Sequence, residues 1–95
     1  MSRLMMYDEK FISDLARIKE FLNNIDVGLH AKFALIFRNK LPAIKDQPKA
    51  FMPFGENRIY FLQFGASGYA IQYHYDEKLD IVKLLRIKHQ KEAGF

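Results

Sequence analysis

The sequence predicts an α+β domain in which two N-terminal helices pack on an antiparallel β-sheet, with the element order β-α-α-β-β-β. Two observations predict this class. Apolar residues recur at helical spacing through the first half of the chain, and near residue 58 the pattern changes to segments rich in β-branched and aromatic residues. The chain has 95 residues, of which 49% are hydrophobic, so we expect a single domain over residues 1–95 with one core.

A strand and a helix are expected first. Residues 3–7 form a short apolar run that predicts a strand. Asp8 can then cap a helix over roughly residues 9–24, because its carboxylate can accept hydrogen bonds from the free amides of the first turn. The apolar face of this helix has members at spacings of four, three and four: Phe11, Leu15, Ile18 and Leu22. Its surface is expected to carry charged residues: Lys10, Asp14, Arg17 and Glu20.

A second helix is expected over roughly residues 27–44, with Asp26 as its cap. Its apolar residues recur at helical spacing: Leu29, Phe33, Ile36 and Phe37. Pro42 should stop or kink this helix near Leu41, because proline lacks the amide hydrogen and crowds the preceding turn. The two helices and their short link predict a helical hairpin. Residues 47–57 hold two prolines and one glycine, which predicts an ordered loop.

Three antiparallel strands are expected over residues 58–64, 69–75 and 79–87, with the first strand of the chain joining their sheet. Residues 65–68 and 76–78 connect them and have the length of hairpin loops. Alternation places several tyrosines on one face of the middle strand, where we interpret them as core residues under the helices: Tyr69, Tyr73 and Tyr75.

Composition excludes several kinds of site. The chain has no cysteine, which excludes disulfides and thiolate metal sites. Its three histidines, His30, His74 and His89, stand on separate predicted elements without ligand spacing, so we expect neither a metal nor a cofactor. No apolar run approaches the roughly 18 residues of a membrane span, and the N-terminus lacks an apolar signal region, which predicts a soluble, cytoplasmic protein without a membrane partner. The net charge of +4 favours an acidic partner, either nucleic acid or an acidic protein segment.

Much of this charge lies at the end of the chain, where the apolar alternation stops at Ile87. We therefore predict a functional C-terminal tail over residues 88–95 that leaves the last strand. The predicted target-binding residues are a basic set with a terminal aromatic, a combination typical of binding hot spots: Arg86, Lys88, His89, Lys91 and Phe95. A solvated basic edge is the alternative for the three cations, and an ordinary surface position is the alternative for the histidine.

At this point the chain resembles the RelE/ParE superfamily of type II toxin–antitoxin toxins. The resemblance rests on residues 58–95, which hold a Ser67-Gly68-Tyr69 turn, the tyrosine at 73, a hairpin at 76–78 and a basic exit at 87–89, and on the first-helix segment "SDLARIKEFL". It covers nearly the whole chain through the order and spacing of the elements. It implies the fold already predicted and a cognate antitoxin as partner, with operator DNA bound only through that antitoxin.

The superfamily has two main activities, RelE-like cleavage of mRNA in the ribosomal A site and ParE-like action on DNA gyrase. The cutters resemble one another in having lysines before the Gly-Tyr turn, an arginine just after it, and a basic residue or tyrosine near the end. At those positions this chain has Phe61, Gln63, Ala70 and Phe95. The resemblance therefore implies the ParE branch, the plasmid-stabilisation branch: a gyrase inhibitor that acts by binding and has no catalytic residues.

Two alternatives stay open. The first is a ribosome-dependent mRNA endonuclease, in which His89, Lys91 and Arg86 would be catalytic, since a 2′-hydroxyl attack needs a proton acceptor, cations and a proton donor. The second is a non-toxic member that only binds its antitoxin.

Overall fold

The computed structural model describes residues 3–91. In chain order its elements are β1 (Leu4–Tyr7), α1 (Glu9–Ile25), α2 (Val27–Lys40), α3 (Pro42–Asp46), β2 (Met52–Phe54), β3 (Asn57–Phe64), β4 (Ser67–Asp76) and β5 (Ile81–His89). Over this range the strands form one mixed sheet in the order β1-β5-β4-β3-β2. β1 runs parallel to β5, and the other neighbours are antiparallel. The predicted α+β class is confirmed.

The helices begin and end where local chemistry predicts. The Asp8 carboxylate accepts a hydrogen bond from the Lys10 amide at 2.9 Å, and the Asp26 carboxylate accepts one from the Gly28 amide at 2.8 Å, so both predicted caps are confirmed. The predicted second helix is broken next to Pro42, as expected. The chain then continues as the short helix α3, which has this proline in its first turn.

Two predictions about the strands were wrong. Residues 47–57 were predicted as an ordered loop, but they contain a short strand, β2, whose Met52 pairs with Ile59 of β3. A strand of three residues that includes a proline has almost no signal in the sequence. The last strand begins at Ile81 and ends at His89, so it starts and ends two residues later than the predicted range.

The core lies between the helices and one face of the sheet. Tyr69, Ile71 and Tyr73 of β4 point towards the helices and are each no more than 3% exposed, which confirms the predicted apolar face of the middle strand. Phe33 of α2 packs edge-on against Tyr69 with ring centroids 5.0 Å apart. No helix within residues 3–91 has the length and apolar character that a membrane crossing requires.

The opposite face of the sheet, called here the outer face, carries exposed side chains. Phe61 of β3 pairs with Ala70 of β4, which in turn pairs with Lys88 of β5. Directly opposite residues of neighbouring strands point to the same side of a sheet, so these three share the outer face. Phe61 is 56% exposed there, as a large apolar side chain without a covering helix.

Asp14 departs from the prediction, because it is buried and not on the surface of α1; its exposed fraction is 3%. Its helical position explains this: it lies three residues after Phe11 and four before Ile18, on the face that meets the sheet. β1 ends at Tyr7, so α1 covers the edge of the second half of β5. There the Asp14 carboxylate takes the place of a neighbouring strand and accepts a hydrogen bond from the Ile87 amide at 3.0 Å.

Candidate functional site at the end of the last strand

The predicted basic residues are divided among three surroundings. Lys88 pairs with Ala70 and lies on the outer face of the sheet, whereas His89 pairs with Tyr69 and lies on the helix face. Arg86 pairs with Gln72 at a bulge, where the register shifts by one residue. Strand β5 therefore holds Arg86, Lys88 and His89, so the tail predicted for residues 88–95 does not begin at 88. Phe95 lies outside the described residues.

Arg86 is bound to α1. Its Nε donates to Asp14 Oδ2 at 2.8 Å and one terminal nitrogen donates to Asp14 Oδ1 at 3.2 Å, while Arg17 donates to Oδ1 at 3.1 Å. Burial by itself raises the pKa of Asp14, but the hydrogen bonds from Arg86 and the Ile87 amide and the charges of both arginines outweigh it, so the pKa lies below its ordinary value. The guanidinium of Arg86 thus has a structural partner, and its role in target binding stays a prediction.

His89 is the last residue of β5, and both of its ring nitrogens have hydrogen-bonding partners. The Lys91 amide donates to Nδ1 at 3.1 Å, and Nε2 lies 3.1 Å from Ser67 Oγ. Because the amide is a donor, Nδ1 accepts, and the neutral ring carries its proton on Nε2, which donates to the serine hydroxyl. The ring stands edge-on to Tyr69 with centroids 5.2 Å apart. An acid–base role for His89 would have to break one of these two hydrogen bonds.

A groove lies between α1 and the ends of β4 and β5. It has a volume of about 460 Å³ and is called here the Arg17 groove. Its lining combines apolar and basic side chains: Arg17, Ile18, Phe21, Tyr69, His89 and Lys91. Two of the predicted site residues, His89 and Lys91, therefore meet two residues of α1 that the sequence analysis did not select, Arg17 and Phe21. One signal was available for Phe21, a large apolar residue outside the predicted apolar face of its helix.

A second and larger groove, called here the helical groove, lies between the helices, β1 and α3, with a volume of about 1110 Å³. Its apolar lining includes Met5, Leu15, Phe33, Phe37 and Leu41. Its basic lining consists of Arg3, Lys19, His30, Arg38 and Lys45, and two acidic residues accompany them, Asp46 and Asp80. This concentration of charge has no local signal in the sequence, because its residues are spread over three helices and two positions outside the helices and strands.

Arg3 and Asp80 close one end of the helical groove. Arg3 Nε donates to Asp80 Oδ1 at 2.6 Å, and the Tyr75 hydroxyl donates to the same oxygen at 2.7 Å. The hydrogen bonds from Arg3 and then from Tyr75 hold the pKa of Asp80 below its ordinary value. Arg3 is thus largely occupied within the fold. Among the other basic residues of this groove, Lys19 and Arg38 are exposed and Lys45 is partly exposed, so all three are accessible to a partner.

Within residues 3–91 no group of three or more histidine, aspartate or glutamate side chains is placed to hold a metal ion. His74, for example, interacts with Asn57 Oδ1 at 3.1 Å and with the Glu56 carbonyl oxygen at 3.2 Å.

A family model described as "ParE toxin of type II toxin-antitoxin system, parDE" matches residues 5–94. The chain belongs to this family. The predicted membership of the RelE/ParE superfamily is therefore confirmed. A search of curated proteins finds no match for the toxin.

Solved structures from two bacteria share the toxin's fold. A mutant of E. coli toxin RelE in the free state matches with a TM-score of 0.59 and 15% identity, covering 98% of this chain and 88% of that one. The intact E. coli RelBE toxin–antitoxin complex matches with a TM-score of 0.60 and 14% identity over 96% of this chain and 100% of that one. The RelBE2 toxin–antitoxin complex of Mycobacterium tuberculosis matches with a TM-score of 0.54 and 14% identity, covering 95% of this chain and 100% of that one. At these identities the likeness shows the fold.

Proposed function

We propose that this toxin inhibits DNA gyrase by binding to it in the cytoplasm, and that a cognate antitoxin holds it inactive. The observation that supports this most is the chemistry of the outer face. Phe61, Gln63 and Ala70 occupy the positions at which the mRNA-cutting relatives resemble one another in having lysines and an arginine, and Phe61 and Ala70 are cross-strand neighbours.

The outer face around Phe61 and Ala70 is poorly suited to RNA cleavage. Charge develops on the phosphate in the transition state, and cations or hydrogen-bond donors must be aimed at it. A phenyl ring and a methyl group supply neither, so positive charge beside them would have to come from Lys88, the cross-strand neighbour of Ala70. His89, the histidine of the nuclease alternative, points to the helix face, on the other side of the sheet from Phe61 and Ala70. A phosphate on the outer face would therefore lie away from the imidazole. Exposed apolar surface of this kind is typical of protein–protein contact.

The helical groove supplies the second half of the proposal. An apolar floor with Lys19, Arg38 and Lys45 on its margin fits an amphipathic helix whose polar side is acidic. The structural neighbours from E. coli and M. tuberculosis include toxins in complex with their antitoxins. We infer that an acidic segment of the cognate antitoxin folds into this groove.

The test is a direct comparison of two activities. Purified toxin is added to a DNA gyrase supercoiling assay and, in parallel, to translating ribosomes programmed with mRNA. We expect supercoiling to be inhibited and mRNA to remain intact. We also expect coexpression of the cognate antitoxin to restore growth and give a complex that survives gel filtration. Unaffected supercoiling together with mRNA cleavage on ribosomes would overturn the proposal in favour of the nuclease alternative.

The variant His89→Gln separates the two mechanisms further. An inhibitor that acts by binding should keep most of its activity, because glutamine preserves hydrogen-bonding groups near Ser67 and the Lys91 amide. A nuclease that uses His89 as an acid or base should lose on the order of 10²-fold or more of its rate. The matched control is His74→Gln, which makes the same chemical change at an exposed position on the outer face of β4.

A further inference from the structure

The Arg17 groove has the features of a docking site that the family assignment does not explain. We propose that this groove is part of the target-binding surface, and that it takes up an apolar side chain of the target protein flanked by acidic residues. This inference rests on the proposed function, because it treats the target as a protein. It adds a face of α1 to a binding surface that the sequence placed at the end of the chain.

The groove has an apolar floor and an exposed apolar wall. Ile18 and Tyr69 are 5% and 3% exposed and form the floor, whereas Phe21 is 59% exposed at the margin. A volume of about 460 Å³ falls within the range of roughly 300–1,000 Å³ typical of ligand sites. A large aliphatic or aromatic side chain would bury both itself and the exposed ring of Phe21, and this burial would drive the contact.

The charge of the groove selects an acidic neighbour for that side chain. The nearby carboxylate of Asp14 is buried and is shared by Arg86 and Arg17, so this cluster has two cations for one anion. Arg17 contributes one N–H to Asp14, its side chain is 55% exposed, and it lines the groove, so a partner can reach its guanidinium. Lys91 adds a second cation to the lining. A carboxylate beside the apolar anchor would complete this arrangement.

The groove is also separate from the surface proposed for the antitoxin. Residues 15, 16 and 19 of α1 line the helical groove, whereas residues 17, 18 and 21 line the Arg17 groove, on the other flank of the same helix. Within the described residues the two linings have no member in common. Substitutions in one groove can therefore be made without touching the other, and His89 and Lys91 join the Arg17 groove to the C-terminal residues predicted to bind the target.

The experiment measures gyrase inhibition and antitoxin affinity for the same variants of the full chain. Phe21→Ser removes the apolar wall, and Arg17→Gln removes a cation. The matched controls are Leu35→Ser, at an apolar side chain that is 55% exposed on α2, and Lys10→Gln, at an exposed cation on α1. Thermal melting verifies that each variant is folded.

We expect Phe21→Ser to raise the toxin concentration for half-inhibition of supercoiling by about tenfold or more, as for loss of an interface anchor. Arg17→Gln should raise it several-fold and weaken its dependence on salt, since a charge contact is lost. Both variants should bind the coexpressed antitoxin within about threefold of wild type, which is a small change on the affinity scale. Both controls should behave as wild type in the two assays.

Three outcomes would overturn the inference alone. If wild-type toxin inhibits gyrase and Phe21→Ser and Arg17→Gln are equally potent, the groove is not part of the target-binding surface. The proposed function would then still stand. An equal loss of antitoxin affinity in these variants would assign the groove to the antitoxin. If a Phe95→Ala variant inhibits gyrase more strongly than wild type, the groove would be assigned to a residue of this chain and not to the target protein. Wild-type toxin without effect on supercoiling would instead refute the proposed function, and with it the groove.

Discussion

The buried carboxylate of Asp14 is the part of the fold whose removal has the most specific expected effect. It accepts hydrogen bonds from the Ile87 amide and from Arg86, which holds α1 to the half of β5 that has no neighbouring strand on that edge. In Asp14→Ala the Ile87 amide loses its acceptor while remaining buried, and an unsatisfied buried amide costs about 1–3 kcal/mol. Arg86 also loses its charge partner. Because its side chain is 31% exposed and can be hydrated, we assign that loss about 1 kcal/mol.

Together these losses predict that Asp14→Ala lowers the free energy of unfolding by about 2–4 kcal/mol. For a domain of this size, that corresponds to a fall in melting temperature of roughly 10–20 °C. Asp14→Asn should cost less, about 1–2 kcal/mol, because the amide oxygen can still accept from Ile87 while the charge is gone. Glu20→Ala, at an exposed position of the same helix, is the matched control and should stay within about 0.5 kcal/mol of wild type.

Denaturant unfolding and thermal melting followed by circular dichroism measure these differences. The pH dependence gives an independent check. Because the pKa of Asp14 is lowered from its ordinary value of 3.8 in the folded state, its charge stabilises the fold above that value, and the stabilisation is lost as the pH falls through the folded-state pKa. The gap in stability between wild type and Asp14→Asn should therefore be complete near about pH 6 and shrink below about pH 4. An Asp14→Asn variant that is no more stable than Asp14→Ala would refute the reasoning. So would an Asp14→Ala variant with the melting temperature of wild type.

Further predictions concern glycines and the chain end. Gly68→Ala should be destabilising by about 1–3 kcal/mol, because an added Cβ would lie 2.8 Å from a carbonyl oxygen of β3. At Gly28 an added Cβ meets nothing nearer than 3.5 Å, so Gly28→Ala should be neutral or slightly stabilising. Equal falls in the melting temperatures of the two variants would contradict this. A chain shortened by residues 88–95 loses the end of β5, and we expect it to melt lower than one shortened by residues 92–95. Equal melting temperatures for the two would show that the last strand residues add no stability.

The sequence by itself determined the elements whose signals are local. The caps at Asp8 and Asp26, the break at Pro42 and the face of tyrosines on β4 were all predicted, because hydrogen bonding to the nearest amides and the periods of helix and strand depend on residues close in the chain. Family membership also followed from the order and spacing of such elements. β2 was missed because a three-residue strand with a proline has no periodic signal of its own.

Only the tertiary structure decided where the charged residues act. Asp14 was expected on the surface from its charge, but it meets Arg86, which is 72 residues away in the chain, across an edge that exists only because β1 is shorter than β5. The four basic residues near the chain end looked like one cluster in the sequence. Strand alternation and one bulge send Lys88 to the outer face, Arg86 to α1 and His89 to the Arg17 groove. Side-chain direction in a strand reverses at every residue, so the face that each charge reaches depends on pairing register, which is set by contacts distant in the chain.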